Sequence, residues 1–190
     1  MLATLLHDLG WSKNTALVSA DRRFEVDGAA AARDFVRLEV EKEKEKEGGE
    51  DVRGWDEARL DAIWYAIALH TTPSITAHAP AVTAVTGMGI LADFLGPNLP
   101  APNPAVDGTA QLITREEFTE VVRAYPRLGF KEELKGIVCG LCVSKPEATF
   151  GNFAEDYGRR YVEGYEEKWQ RHPKIVDGLE RGLDATVEFE

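Results

Sequence analysis

The sequence has few of the residues that most often carry redox or structural metal chemistry: two cysteines and four histidines in 190 residues. Both cysteines lie in "IVCGLCVSKP", and one C-x-x-C without a second pair or a neighbouring histidine is weak evidence for zinc or redox chemistry. Leu134, Ile137, Val138 and Leu141 recur around Cys139 and Cys142 at helical spacing, so the pair reads as two buried helix cysteines. Basic residues are short too. Lys and Arg number 22 against 33 Asp and Glu, a formal charge of −11 with no basic stripe, so nucleic acid is not an expected partner. Apolar runs stay well below the roughly 18 residues a membrane span needs, and the N-terminus lacks the basic flank of a signal peptide. A soluble, cytoplasmic chain with no membrane partner is expected. Alternating strand patterns and internal repeats are also missing, which leaves an all-α class.

With 44% hydrophobic residues the chain can bury one sizeable core. The pattern predicts a first helix over residues 2 to 9, with Leu2, Leu5 and Leu6 inward and Gly10 as its stop. His7 and Asp8 then sit in its last turn. A second helix is predicted from Val26 to Lys46; its "EKEKEKE" end lacks Glu to Lys pairs at i,i+4 and reads as a solvated helix end or mobile loop. In "WDEARLDAIWYAIAL", Leu60, Ile63, Trp64 and Ile67 form an inner face that continues to His70, placing that histidine at a helix end near the core.

Pro73 and Pro80 break the chain after His70, and Val82, Val85, Thr86, Gly89 and Ile90 then lead round one predicted helix face to Asp93. A carboxylate on that face needs a partner. The proline-rich residues 97 to 104 predict a loop, "TREE" from Thr114 a capping box, and residues 131 to 143 and 152 to 170 two further helices, before a short charged one. His78, in a proline-flanked loop, and His172, in the charged tail, are expected to face solvent.

Imidazole and carboxylate together suit a borderline or hard divalent ion, so His7, Asp8, His70 and Asp93 are the candidate metal chemistry of this chain. Taken together, "LLHDLGW", "RFEVDGAAAARDF", "AIALHTTPSI" and "GMGILADFLG" resemble the HD-domain superfamily of metal-dependent hydrolases, nearest its cyanamide hydratase-like branch. "FTEVVRAYPRLGFKEEL" and "KPEATFGNFAEDYGRRYVEGY" resemble the C-terminal half of the same branch. The resemblance implies that His7, Asp8 and Asp93 are metal ligands, that Asp8 also transfers protons, and that His70, Thr71, Thr72 and Ser74 form the substrate side. It implies a divalent ion, Zn2+ foremost, with Fe2+ or Mn2+ as alternatives.

The family's upstream ligand histidine has no counterpart in this chain, so the expectation is an HD-domain helical bundle lacking the first helices. Residues 1–165 would form that N-terminally incomplete domain and residues 166–190 a charged helical tail. The activity implied is addition of water to a small nitrile, cyanamide to urea. The alternatives are an HD-type phosphohydrolase of a nucleotide or phosphoester, which needs cations, and a non-catalytic truncated paralogue. The neutral, small-residue segment "HTTPSITAHAP" favours a small uncharged substrate; a homo-oligomer is left open.

Overall fold

A computed structural model describes residues 1–46, 54–99 and 113–184, and every regular element among them is a helix. The chain divides into two compact units, Met1–Ile137 and Val138–Glu190. The "EKEKEKE" run is helical and largely exposed as far as Lys46, while Glu47 and most of the proline-rich loop lie outside the described residues.

The first unit opens with α1 (Leu2–Leu6), which tightens at once into a 3-10 turn over His7–Trp11. The α-helix is therefore shorter than predicted; Ala3 is buried and Leu6 packs partly buried against the core as expected, but Leu2 and Leu5 are exposed. Close packing explains the change. A Cβ on Gly10 would lie 1.8 Å from the Phe24 carbonyl oxygen, and one on Gly28 would lie 3.0 Å from the Gly10 nitrogen and the His7 carbonyl oxygen. Backbone meets backbone there, so the turn is pressed onto the start of α2 (Phe24–Lys46).

α2 carries Glu25 and Asp27 in its first turn and Lys44 and Lys46 in its last, which suits the helix dipole at both ends. Its face of Ala29, Ala32 and Val36 packs against Leu60, Ile63, Ala66 and Ile67 of α3 (Glu57–Ala68), with Ala3 of α1 completing the core. Alanines let the two helices come close, and each buried Leu or Ile contributes about 1.5–3 kcal/mol. Asp56 caps α3 by accepting from the Arg59 amide at 2.9 Å. The core of α3 is the one its periodicity predicts, with Trp64 partly buried at its margin.

After α4 (Pro73–Thr76), α5 (Ala81–Leu95) shares only part of the predicted face: Thr86 is buried as expected, but its buried companions are Thr83 and Gly87, while Val82 and Val85 are exposed. A Cβ on Gly87 would stand 3.2 Å from the Thr76 hydroxyl, so small residues, not bulky ones, fit this crossing. α6 (Arg115–Ala124) begins with the predicted capping box, Thr114 and Glu117 bonding reciprocally. α7 (Phe130–Ser144) spans the unit boundary.

In the second unit Cys142 is buried in α7 and its thiol donates to the Ala154 carbonyl at 3.3 Å, whereas Cys139 is half-buried. Burial raises the Cys142 thiol above its ordinary pKa, as expected for an inert core thiol. The predicted helix over 152 to 170 is two helices, α8 (Phe153–Tyr161) and α9 (Tyr165–Arg171), because Gly164 adopts the left-handed conformation at φ 73°. The break swings Tyr165 back onto Gly158, where it is 1% exposed and its hydroxyl meets that of Thr149 at 2.7 Å. His172 is half-buried against the Phe150 ring, with ring centres 4.9 Å apart, so it does not simply face solvent; His78 is exposed as expected. α10 (Ile175–Asp184) is the last element.

Candidate metal centre

Two segments of the first unit meet. The 3-10 turn supplies His7 and Asp8, and the residue just beyond the C-cap of α3 supplies His70. Ligating atoms of the three lie within 4.8 Å of one another, the one such grouping of histidine, cysteine and carboxylate groups among the described residues. The His7 and His70 rings stand edge to face with centres 5.1 Å apart. His70 is 3% exposed and rests its ring on Phe24, which in turn packs on Trp11.

The hydrogen bonds fix the tautomers. His7 Nδ1 donates to the Thr4 carbonyl at 2.9 Å and His70 Nδ1 donates to the Ile67 carbonyl at 2.6 Å. Because a carbonyl can only accept, each Nδ1 carries the proton and each Nε2 presents its lone pair in the neutral ring. His7 Nε2 then faces Asp8 Oδ2 at 3.2 Å, an acceptor against an acceptor unless a cation or a proton stands between them. Asp8 Oδ1 is buried without a hydrogen-bond partner. Two imidazole nitrogens with backbone-anchored rings and a carboxylate with an unmet oxygen fit a divalent ion such as Zn2+.

Burial pushes the Asp8 carboxyl above its ordinary pKa, while the His7 charge pulls it down. Burial lowers the pKa of His70; the Ile67 carbonyl opposes this, a His7 charge reinforces it, and the Glu25 carboxylate opposes it. The net lowering favours the neutral form of His70, the form in which imidazole ligates metal.

The expected substrate-side hydroxyls are placed unequally. Thr71 donates its one hydroxyl proton to Glu25 Oε1 at 2.5 Å, so towards a ligand it can offer lone pairs and nothing to donate. Thr72 is half-buried at the start of α4, and Ser74 is exposed within that helix. Asp93 is not brought to the cluster. Its side chain is 59% exposed and pairs with Arg127, whose guanidinium bonds both its carboxylate, at 2.8 Å, and its backbone carbonyl. The partner that this aspartate needs is an arginine from the segment between α6 and α7.

Sequence reasoning missed Glu25 and Asp27. Both are buried in the first turn of α2. Asp27 accepts from the Ser19 amide at 2.9 Å and pairs with Arg22 at 3.2 Å, tying down the loop that precedes the helix. Glu25 pairs with Arg23 at 3.1 Å and holds Thr71. The signal that could have found them is a pair of acids, Glu25 and Asp27, following closely on Arg22 and Arg23 at the start of a helix.

Fold and site together define a chain that is all-helical among the described residues and carries a partly buried His-Asp-His cluster. Searches against protein-family models, curated proteins and solved structures found no match to the chain.

Proposed function

We propose that the first unit is an HD-type, metal-dependent hydratase domain that adds water to a small uncharged nitrile, with cyanamide going to urea. The observation that carries this is the convergence of His7, Asp8 and His70, two imidazoles anchored through Nδ1 and a carboxylate with an unmet buried oxygen. His7 Nε2, His70 Nε2 and the Asp8 carboxylate would hold the ion, so His70 joins the ligands instead of the substrate side. When bound, a divalent ion supplies Lewis acidity that makes water nucleophilic near neutral pH.

The chain's own residues supply the rest. The raised pKa of Asp8 suits it to accept a proton and return it to nitrogen as the nitrile becomes an amide. Thr72, half-buried beside the turn, keeps a hydroxyl to orient the substrate. The arginines of the loop before α2 disfavour a phosphoester, because Arg22 is paired with Asp27 and Arg23 with Glu25.

The test is elemental analysis of the purified chain together with urea release from cyanamide, on wild type and on His7→Ala and His70→Ala. Near one metal per chain, urea formed, and both lost in each variant support the proposal. Metal with phosphate release from a nucleotide panel, and no urea, would move the assignment to a phosphohydrolase. Neither metal nor urea would leave a non-catalytic HD-like domain.

A further inference from the structure

We propose that Glu25 is a positioning residue of the His-Asp-His cluster: by accepting the Thr71 hydroxyl it pins the His70-Thr71 turn and keeps the His70 ring aligned on His7 and Asp8. The inference rests on the metal-site assignment for its consequence, though not for its geometry. Glu25 is fully buried, and its Oε1 accepts from both Thr71, at 2.5 Å, and Arg23, at 3.1 Å. Its Oε2 is buried with no hydrogen-bond partner.

A buried, half-satisfied carboxylate is a poor stabilising device, since a well-packed apolar residue of similar size would commonly serve the fold as well or better. Nor does the helix dipole require burial, because an exposed acid in the first turn of α2 would serve it. What the position does provide is a bond across 46 residues, from α2 to the residue that follows His70. Phe24, one residue earlier, touches the His70 ring itself, with centres 5.9 Å apart. Consecutive residues of α2 therefore hold the turn at two points: Phe24 at the ring and Glu25 at the neighbouring hydroxyl. The Ile67 carbonyl adds a third hold at His70 Nδ1, leaving Nε2 directed by groups that do not themselves ligate.

The experiment uses the full chain as wild type, Glu25→Ala, Glu25→Gln and Thr71→Val, with two readouts. The first is the nitrogen NMR signature of the His70 ring in metal-free protein, which reports whether the proton stays on Nδ1. The second is Zn2+ affinity by competition with a chromophoric chelator. Glu25→Ala and Thr71→Val are expected to mix the His70 tautomers and to weaken Zn2+ binding by about 10- to 100-fold. Glu25→Gln keeps an acceptor oxygen for Thr71 and is expected to restore the Nδ1 signature and most of the affinity.

Unchanged ring signals in folded Glu25→Ala and Thr71→Val would overturn the proposal, as would Glu25→Gln behaving like Glu25→Ala. Thr71→Val removes one hydroxyl and little volume, so it decides the matter if Glu25→Ala does not fold. Should wild type take up no Zn2+, the metal assignment fails by itself, and the ring signals still decide the role of Glu25.

Discussion

Gly10→Ala tests the steric basis of the site most directly. The added Cβ would lie 1.8 Å from the Phe24 carbonyl oxygen and 2.7 Å from its carbon, where real Cβ contacts do not fall below about 3.0 Å. The start of α2 must then retreat by about 1.2 Å, and it cannot do so by a rotamer change because the obstructing atoms are backbone. Gly10 is not among the glycines with positive φ, so alanine meets no conformational penalty there and would otherwise gain about 0.4–1 kcal/mol through the unfolded state. Overpacking costs about 1–3 kcal/mol, and a rigid obstacle puts the net loss near the top of that range. Gly28→Ala is the internal control. Its Cβ would meet backbone at 3.0 Å, a milder clash, and alanine in a helix interior regains about 1 kcal/mol, so its net change should lie close to zero. Urea unfolding gives both values. The retreat also carries Phe24 and Glu25 away from His70 and Thr71, so Gly10→Ala should lose Zn2+ affinity while still folded. A Gly10→Ala protein within 0.5 kcal/mol of wild type, with its Zn2+ affinity intact, would refute the claim that this crossing sets the site.

Asp93→Asn should leave Zn2+ affinity unchanged and cost no more than about 1 kcal/mol, the value of an exposed pair; loss of metal in that variant would return Asp93 to the ligand set. Thr114→Ala should destabilise the first unit by about 1 kcal/mol through its lost cap, read by thermal unfolding. The Thr114 amide and hydroxyl hold the Glu117 carboxyl below its ordinary pKa of 4.5, so the cap's electrostatic share is present above pH 4.5 and is lost as pH falls through the folded value. A Thr114→Ala loss that is equal at neutral and acid pH would contradict this. Burial raises the Tyr165 hydroxyl to about 12 from 10.0, so its contribution is whole below pH 10 and disappears as pH rises through about 12. That contribution is about 2–3 kcal/mol at most, and tyrosinate absorbance of Tyr165→Phe against wild type should show one late, cooperative ionisation missing in the variant.

How much of this was legible in the sequence varied with the kind of packing. α3 was read correctly because its inner face is filled by Leu60, Ile63 and Ile67, whose bulk makes the 3.6-residue period visible. α5 was read on a face that shares only Thr86 with the buried one, because its other buried residues, Thr83 and Gly87, pack by close approach and hardly register as hydrophobic. The break between α8 and α9 had a local signal, a glycine in "VEGY", but helical periodicity on both sides concealed it. The distant ends of a contact were not legible at all. Asp93 meets Arg127 across 34 residues, and no local pattern distinguishes that pairing from a ligand role.

For the site, the same division has a physical origin. His7 and Asp8 are adjacent, and His70 follows the α3 face at the next i+3 step, so a motif and a period were enough to single out all three, although His70 was expected on the substrate side and not among the ligands. Their convergence depends on something else: the turn can press onto α2 because Gly10 and Gly28 have no Cβ, and His70 is aimed by Phe24, by Thr71 held on Glu25, and by the Ile67 carbonyl. A ligand motif specifies which atoms can bind, whereas affinity depends on how little those atoms must move when they do. On the proposed metal assignment that second property resides in residues with no ligating role, and substitutions there should lower metal affinity while leaving every ligand in place.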